Sequence, residues 1–221
     1  MFDLDDTLYP EINYVKSGFA EVVRFLEAKV MIDASELSRF METSFKECRT
    51  NVFDQVIEKF AINEVTVSDL ITVYKSHQPK IKLSIRVEKI LSQLRTKVSL
   101  AIVTDGALDG QQKKVKALGL DKSIDFIVYT DQWGIEYWKP HPKAFEHLMN
   151  VTGSLPHEIL YVGDNPSKDF IYQKTLGIHV VQYLSRGLYQ NDSYLENVIP
   201  TFKINDVEEI VQIIDTINNH V

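Results

Sequence analysis

The sequence contains a single cysteine, Cys48, among its 221 residues. One cysteine cannot form an intrachain disulfide or a zinc cluster built from several thiolates, so a reducing compartment is favoured. We therefore expect a cytoplasmic protein in which Cys48 is a small buried apolar side chain. The sequence also lacks an apolar run of about 18 residues, the length that a membrane-spanning helix requires. A secretory leader is not expected either, because acidic residues follow directly after the first two positions.

Basic residues are fewer than acidic ones, with 24 Lys and Arg against 31 Asp and Glu and a net charge of −7. This balance opposes binding to nucleic acid or to an anionic membrane surface, although it permits a local basic pocket. The hydrophobic fraction of 44% is ordinary for a globular protein and is enough to build a core. At about 150 residues per domain, the length predicts one large domain or a medium domain with a smaller companion.

Four short apolar runs rich in β-branched residues predict buried strands. They are Val98–Val103, Phe126–Tyr129, Ile159–Val162 and Ile178–Tyr183. Helical patterns that end near a glycine lie between them. These patterns are Leu108–Leu118, Pro142–Val151 and Pro166–Leu176. The alternation predicts an α/β fold, a Rossmann-like parallel sheet with helices on both faces.

The stretch from residue 13 to residue 78 has a different pattern, with apolar residues at helical spacing and no convincing strand. Its helical segments are Tyr14–Lys29, Ser35–Cys48 and Val52–Phe60. We therefore predict a small all-helical cap domain at residues 13–78. It is inserted into an α/β core made of residues 1–12 and 79–221, in which Ile85–Leu94 forms a further helix.

Two carboxylates, Asp3 and Asp5, lie two residues apart at the end of a short extended segment. Residues at this spacing point to the same side of a strand. Two neighbouring acids repel each other unless a cation lies between them or one stays protonated, and both solutions are useful in catalysis. One carboxylate can act as a nucleophile while the other acts as acid and base. The same residues are also compatible with a polar turn that caps a helix.

Polar signatures also follow the later predicted strands. The run that ends at Val103 continues into Thr104–Gly106, and the run that ends at Val162 continues into Gly163–Asp169. A lysine, Lys139, precedes the helix that begins near Pro142. Because ligands of open parallel sheets bind beyond the carboxyl ends of the strands, we expect these residues to gather at one site.

With these four signatures in this order, the sequence resembles the haloacid dehalogenase-like hydrolase superfamily. The resemblance covers essentially the whole chain, because the helical insertion matches the subgroup whose cap lies between the first and second motifs. Tyr9–Pro10 and Gly134–Pro140 are similar to segments of a branch that includes pyrimidine nucleotidase-like enzymes. The motif residues are Asp3, Asp5 and Thr7, then Thr104, then Lys139, then Gly163, Asp164 and Asp169.

The resemblance implies that Asp3 attacks a phosphoryl group and forms an aspartyl-phosphate intermediate. It implies that Asp5 protonates the leaving alcohol and later deprotonates the attacking water, a division of labour that ester cleavage requires. Phosphate oxygens would be held by a hydroxyl, an ammonium and backbone amides. These groups belong to Thr104, Lys139, Asp105 and Gly106.

A magnesium ion follows from the concentration of negative charge, because several carboxylates and a phosphate dianion at one place need a hard cation. The resemblance assigns it to the side chains of Asp3 and Asp164 and to the backbone carbonyl of Asp5. Asp169 would be in direct or supporting contact. An equally weighted interpretation of Asp169 is an acid in the first turn of a helix, favoured by the helix dipole.

Asp5 favours phosphate-ester chemistry, because the resembling dehalogenases lack an acid at this position and phosphonate-cleaving members carry a small residue. The expected function is a Mg²⁺-dependent phosphatase that acts on a small phosphorylated metabolite. A phosphomutase or phosphotransferase would use the same residues. A non-catalytic module that binds Mg²⁺ and phosphate is the alternative from another class.

The first strand is short, since one apolar residue besides Met1 precedes Asp3, whereas a typical strand has about 5–6 residues. In the resembling family this strand begins several residues earlier. We therefore expect that the chain starts late relative to the native protein. The shortened strand is expected to leave neighbouring backbone groups unpaired and to weaken the site.

Overall fold

The computed structural model describes residues 1–184, 187, 189 and 192–218. Backbone contacts divide the chain into two compact units. The first unit combines Met1–Glu11 with the chain from Lys82 onward, and the second is Ile12–Ile81. Among the described residues, no helix is both long and apolar enough to cross a membrane.

The first unit is built on a parallel sheet. Its strands are β1 (Ala101–Thr104), β2 (Phe126–Tyr129), β3 (Leu160–Gly163), β4 (His179–Tyr183) and β5 (Phe202–Ile204). β1 pairs with β2, and β4 lies between β3 and β5, all in parallel register. Phe2 bridges Ile102 of β1 and Val162 of β3, also in parallel. The order across the sheet is therefore β2, β1, the N-terminal segment, β3, β4 and β5.

The N-terminal segment is held on both sides although it is short. The Phe2 amide donates to the Ala101 carbonyl at 2.8 Å, and the Asp3 amide donates to the Val162 carbonyl at 2.9 Å. The amino group of Met1 donates to the Leu160 carbonyl at 2.7 Å. The segment thus pairs with β3 from Met1 onward and with β1 from Phe2 onward, which fixes the backbone at Asp3. An upstream extension of this strand stays a prediction.

Nine α-helices are present in the described part of the chain. In chain order they are α1 (Glu11–Glu27), α2 (Ala34–Glu47), α3 (Val52–Lys59), α4 (Val67–Ser76), α5 (Ile85–Leu94), α6 (Leu108–Ala117), α7 (Lys143–Thr152), α8 (Tyr172–Thr175) and α9 (Glu209–Asn218). Apolar side chains of β1, β3, β4 and α7 form the core of the first unit, with Phe145, Tyr161 and Tyr172 among its largest buried members. The Rossmann-like α/β fold is confirmed.

The second unit is entirely helical within the described residues and holds α1 from Ile12 onward together with α2, α3 and α4. Its core is a separate apolar cluster that includes Val22, Leu26 and Met41. Asp33 caps α2 by accepting the Glu36 amide at 2.9 Å, and such a cap replaces a hydrogen bond that the first turn lacks.

Three details differ from the sequence expectations. The helix expected over Pro166–Leu176 is reduced to α8, because Asn165 accepts both the amide and the hydroxyl of Ser167 and holds the preceding residues in turns. The elements α4, β5 and α9 were not predicted. Cys48 is exposed rather than buried, since it ends α2 and its sulfur faces the Thr50 hydroxyl at 3.2 Å.

Candidate active site

Three neighbouring strands bring polar side chains to one edge of the sheet. Asp3 follows the N-terminal bridge at Phe2, Thr104 is the last residue of β1, and Asp164 directly follows β3. All three are at most 5% exposed. Because the strands are parallel, their carboxyl ends meet here, which is where open α/β sheets bind ligands. A cleft of about 290 Å³ lies at this edge.

Lys139 is the centre of this group. Its ammonium is fully buried and lies 2.9 Å from Asp3 Oδ2 and 3.0 Å from Asp169 Oδ1. It also donates to the Tyr161 hydroxyl at 2.8 Å. Burial disfavours the charged lysine, but the carboxylates of Asp169 and Asp3 raise the pKa of Lys139 well above its ordinary value. Lys139 is therefore a permanent cation beside Asp3.

Asp169 is fully buried and is used on both oxygens. Oδ1 faces Lys139 and accepts the Tyr161 hydroxyl at 3.0 Å, and Oδ2 accepts the Asn165 amide at 2.9 Å. Asp169 lies outside the helices, so the first-turn interpretation of this acid is wrong. Gly163 makes room for it, because a Cβ at that position would lie 2.7 Å from Asp169 Oδ2. Asp169 thus supports Lys139 directly.

Asp164 differs from Asp169 in how its two carboxylate oxygens are used. Oδ1 accepts the Thr7 hydroxyl at 3.4 Å, while Oδ2 is buried without a hydrogen bond among the described residues. Carboxylate oxygens of Asp3, Asp164 and Asp169 lie within 4.8 Å of one another. Two of these three acids, Asp3 and Asp169, share the Lys139 ammonium, so the group holds more acidic side chains than this cation can neutralise. Such oxygen donors and this charge fit one hard divalent cation.

The pKa values of the buried carboxyl groups are raised by their surroundings. Burial raises the pKa of Asp3 to about 6, although Lys139 acts in the opposite direction. Burial, and after it the charges of Asp3 and Asp169, raises the pKa of Asp164 to about 8. One ammonium facing two carboxylates offsets only part of the burial penalty, so the cluster favours either a proton or an added cation.

Thr104 ends β1, and Asp105, which follows it, lines the cleft. The Thr104 hydroxyl is buried and has no hydrogen-bond partner among the described residues. The Asp105 side chain accepts the Lys139 amide at 3.0 Å and pairs with Lys168 at 2.8 Å. Burial acts against this charge, but Lys139 and Lys168 hold the pKa of Asp105 below its ordinary value. Asp105 therefore positions the Lys139 loop through its side chain.

Gly106 has a φ of 119°, which favours glycine. A Cβ at this position would lie 2.5 Å from Gln111 Nε2, so a side chain here would also displace α6 contacts. The Asp105–Gly106 turn thus stays open toward the cleft, and both residues line it.

The second acid of the N-terminal motif, Asp5, is held by three donors. Lys114 Nζ lies 2.8 Å from each of its oxygens. Tyr9 donates to Oδ1 at 2.6 Å, and Gln111 donates to Oδ2 at 3.1 Å. The side chain of Asp5 remains 20% exposed and lines the cleft.

The structure brings together all the predicted site residues and adds three that the sequence reasoning missed. Lys168 and Gln111 line the cleft, and Lys114 lies directly behind Asp5. Lys168 lies within the motif segment that follows β3, so its position in the sequence could have indicated that it belongs to the site. Lys114 stands in a run of lysines, and its role depends on which of them faces inward.

The sequence matches the haloacid dehalogenase-like hydrolase family over residues 1–183. It is 27% identical to a glyceraldehyde 3-phosphate phosphatase from Methanocaldococcus jannaschii, over 97% of this chain and 95% of that protein. It is also 23% identical to the human N-acylneuraminate-9-phosphatase, over 98% of this chain and 93% of that protein.

Solved structures of similar fold include a HAD-hydrolase from Bacillus subtilis, with a TM-score of 0.67 and 19% identity over 97% of this chain and 96% of that one. A predicted phosphoglycolate phosphatase from Haemophilus somnus has a TM-score of 0.64 and 21% identity, over 96% of this chain and 95% of that one. These likenesses show the fold.

Proposed function

Since this chain belongs to the haloacid dehalogenase-like hydrolase family, we propose that it is a Mg²⁺-dependent phosphatase acting through an aspartyl-phosphate intermediate on Asp3. The observation that carries the proposal is the buried Lys139 ammonium, 2.9 Å from Asp3 Oδ2, together with the buried Oδ2 of Asp164, which accepts no hydrogen bond within the part of the chain that the structure describes. A nucleophilic carboxylate, a fixed cation and a free metal-binding oxygen are the parts that phosphoryl transfer requires. The phosphatase relatives support the same chemistry.

Mg²⁺ would be held by the side chains of Asp3 and Asp164 and by the backbone carbonyl of Asp5, with Asp169 in a supporting position. Asp164 would contribute its buried Oδ2, whereas both oxygens of Asp169 already accept hydrogen bonds. When bound, the cation offsets the charge shared by the carboxylates and the phosphate.

In the first step an oxygen of Asp3 attacks phosphorus. The bond from phosphorus to the leaving oxygen breaks, and Asp5 gives its proton to that oxygen, so the alcohol leaves neutral. The Asp3 carboxylate is already oriented, because its Oδ1 accepts the Leu4 amide at 2.7 Å. Lys139 and the buried Thr104 hydroxyl hold the phosphoryl oxygens, with the amides of Asp105 and Gly106 as further donors.

In the second step Asp5 takes a proton from water as the water attacks phosphorus. The bond from phosphorus to Asp3 breaks and returns the carboxylate, and inorganic phosphate is released. A phosphotransferase would differ only in the acceptor, with a second alcohol in place of water. Phosphate release in the absence of an alcohol acceptor separates the two.

The substrate is a small phosphorylated metabolite. The named relatives are a glyceraldehyde 3-phosphate phosphatase and an N-acylneuraminate-9-phosphatase, which supports this class without selecting a member. The likeness of Tyr9–Pro10 and Gly134–Pro140 to pyrimidine nucleotidase-like enzymes stays a prediction.

A panel of phosphate monoesters tests the proposal by measuring phosphate release with Mg²⁺, with EDTA and with the Asp3→Asn variant. We expect release that depends on Mg²⁺ and falls at least about a thousandfold in Asp3→Asn, which cannot form the intermediate. Asp109→Asn is the matched control, because Asp109 is a 74% exposed acid that pairs with Lys113 on α6. Release that persists in Asp3→Asn, or no release from any ester, would contradict the proposal.

A further inference from the structure

Lys114 and Asp5 form an ion pair whose lysine has no role in the two chemical steps. Lys114 Nζ lies 2.8 Å from both oxygens of Asp5, and the lysine side chain is 5% exposed. A lysine is rarely buried to this extent without a specific partner, because removing an ammonium from water is costly. Asp5 is that partner.

The spacing of residues along α6 directs Lys114 toward Asp5. Gln111 and Lys114 are three residues apart, so they share one helix face, and both donate to Asp5. The other lysines of the run face elsewhere, since Lys113 pairs with Asp109 and Lys116 is exposed. The sequence thus presents one ammonium and one amide to the same carboxyl group.

We propose that Lys114 is a positioning residue for proton transfer by Asp5, an inference that rests on the proposed function. A general acid must lie within hydrogen-bond reach of the atom that receives its proton, so its orientation has to be fixed. Contacts to both oxygens fix the plane of the Asp5 carboxyl group, while its partly exposed edge remains open to the cleft.

The pair also acts during the step itself. When the bond from phosphorus to the leaving oxygen breaks, the electron pair stays on that oxygen, and the proton of Asp5 moves to it. The negative charge that appears on Asp5 then forms next to an ammonium that is already in place. A preplaced charge stabilises a transition state without reorganisation of the site.

The dependence on the leaving group distinguishes this role from general support of the fold. An alkyl phosphate leaves as a strongly basic alkoxide and needs the proton, whereas p-nitrophenyl phosphate leaves as a stable phenolate and needs it little. In Lys114→Met we expect kcat/KM to fall roughly 10- to 100-fold for an alkyl phosphate and by less than about threefold for p-nitrophenyl phosphate. The measured quantity is kcat/KM for p-nitrophenyl phosphate divided by kcat/KM for the alkyl phosphate, and we expect this ratio to rise in Lys114→Met.

Lys114→Arg keeps a cation that can reach both oxygens and is expected to return the ratio toward the wild-type value. Thermal unfolding shows whether Lys114→Met is folded. If it is not, Lys114→Gln, which keeps a polar side chain without the charge, takes its place. The matched control is Lys116→Met on the same helix, for which we expect an unchanged ratio.

Equal losses on both substrates in a folded Lys114 variant, or no loss at all, would overturn the inference and leave the proposed function standing. Absence of hydrolysis of every ester by the wild-type protein would overturn the proposed function and, with it, this inference. A ratio that is raised in Lys114→Met and returns toward the wild-type value in Lys114→Arg supports both the proposed function and this inference.

Discussion

The buried carboxyl group of Asp164 makes the stability of the metal-free protein depend on pH. The pKa of Asp164 is raised from 3.8 to about 8, chiefly by burial. Between these values the folded protein keeps a proton that the unfolded chain releases, so the free energy of unfolding falls as pH rises through this window. A shift of about four pH units corresponds to roughly 5–6 kcal/mol, present in full above about pH 8.

The substitution Asp164→Asn removes this effect while keeping the shape of the side chain. Near pH 4 we expect the variant and the wild type to be about equally stable, because the carboxyl group is protonated in the folded state and is only about half ionised in the unfolded chain. Toward about pH 8 the metal-free variant becomes more stable by several kcal/mol, up to roughly 5–6 kcal/mol, because the cost of burying a charged carboxylate falls on the wild type alone. Added Mg²⁺ stabilises the wild type and not the variant.

Urea unfolding in EDTA at about pH 4, 6 and 8 measures the difference between the two proteins. In Asp3→Asn the corresponding difference stops growing near pH 6, because the pKa of Asp3 is raised only to about 6. Asp109→Asn, on the exposed face of α6, is expected to show no such trend. A difference for Asp164→Asn that does not vary with pH, or a variant less stable than the wild type at pH 8, would refute the reasoning.

Two further substitutions test the centre of the site. Lys139→Met leaves Asp3 and Asp169 buried without their cation, so we expect a loss of about 3–5 kcal/mol in urea unfolding and of about 10²–10³ in kcat. Unchanged stability would count against the buried ion pair. Gly163→Ala places a Cβ 2.7 Å from Asp169 Oδ2 and is expected to cost about 1–3 kcal/mol. A Gly163→Ala variant as stable as the wild type would exclude crowding at Asp169.

The strands of the sheet were predictable because they are continuous apolar runs. The predicted Phe126–Tyr129 strand has the observed bounds of β2, and Val98–Val103 differs from β1 by a few residues. The Pro166–Leu176 helix failed because side-chain hydrogen bonds of Asn165 compete with a helical backbone, a local effect that an apolar pattern does not contain. The apolar residues of α9 recur at helical spacing, so this helix could have been predicted from the sequence.

The candidate site was predictable as a set of residues but not as a set of contacts. Strand ends and motif order indicate that Asp3, Thr104 and Asp164 meet at one edge. The sequence does not show that Asp169 supports Lys139 with both oxygens occupied, because this depends on the turn around Asn165. Nor does it separate Lys114 from its neighbouring lysines, because the phase of α6 decides which one is buried.

The central claim is that the phosphoryl group passes through a covalent intermediate on Asp3. The stereochemical course at phosphorus tests it most directly, with a thiophosphate ester made chiral by oxygen isotopes and hydrolysed in labelled water. Two successive displacements, first by Asp3 and then by water, predict overall retention of configuration. Inversion would show a single displacement by water and would contradict the account.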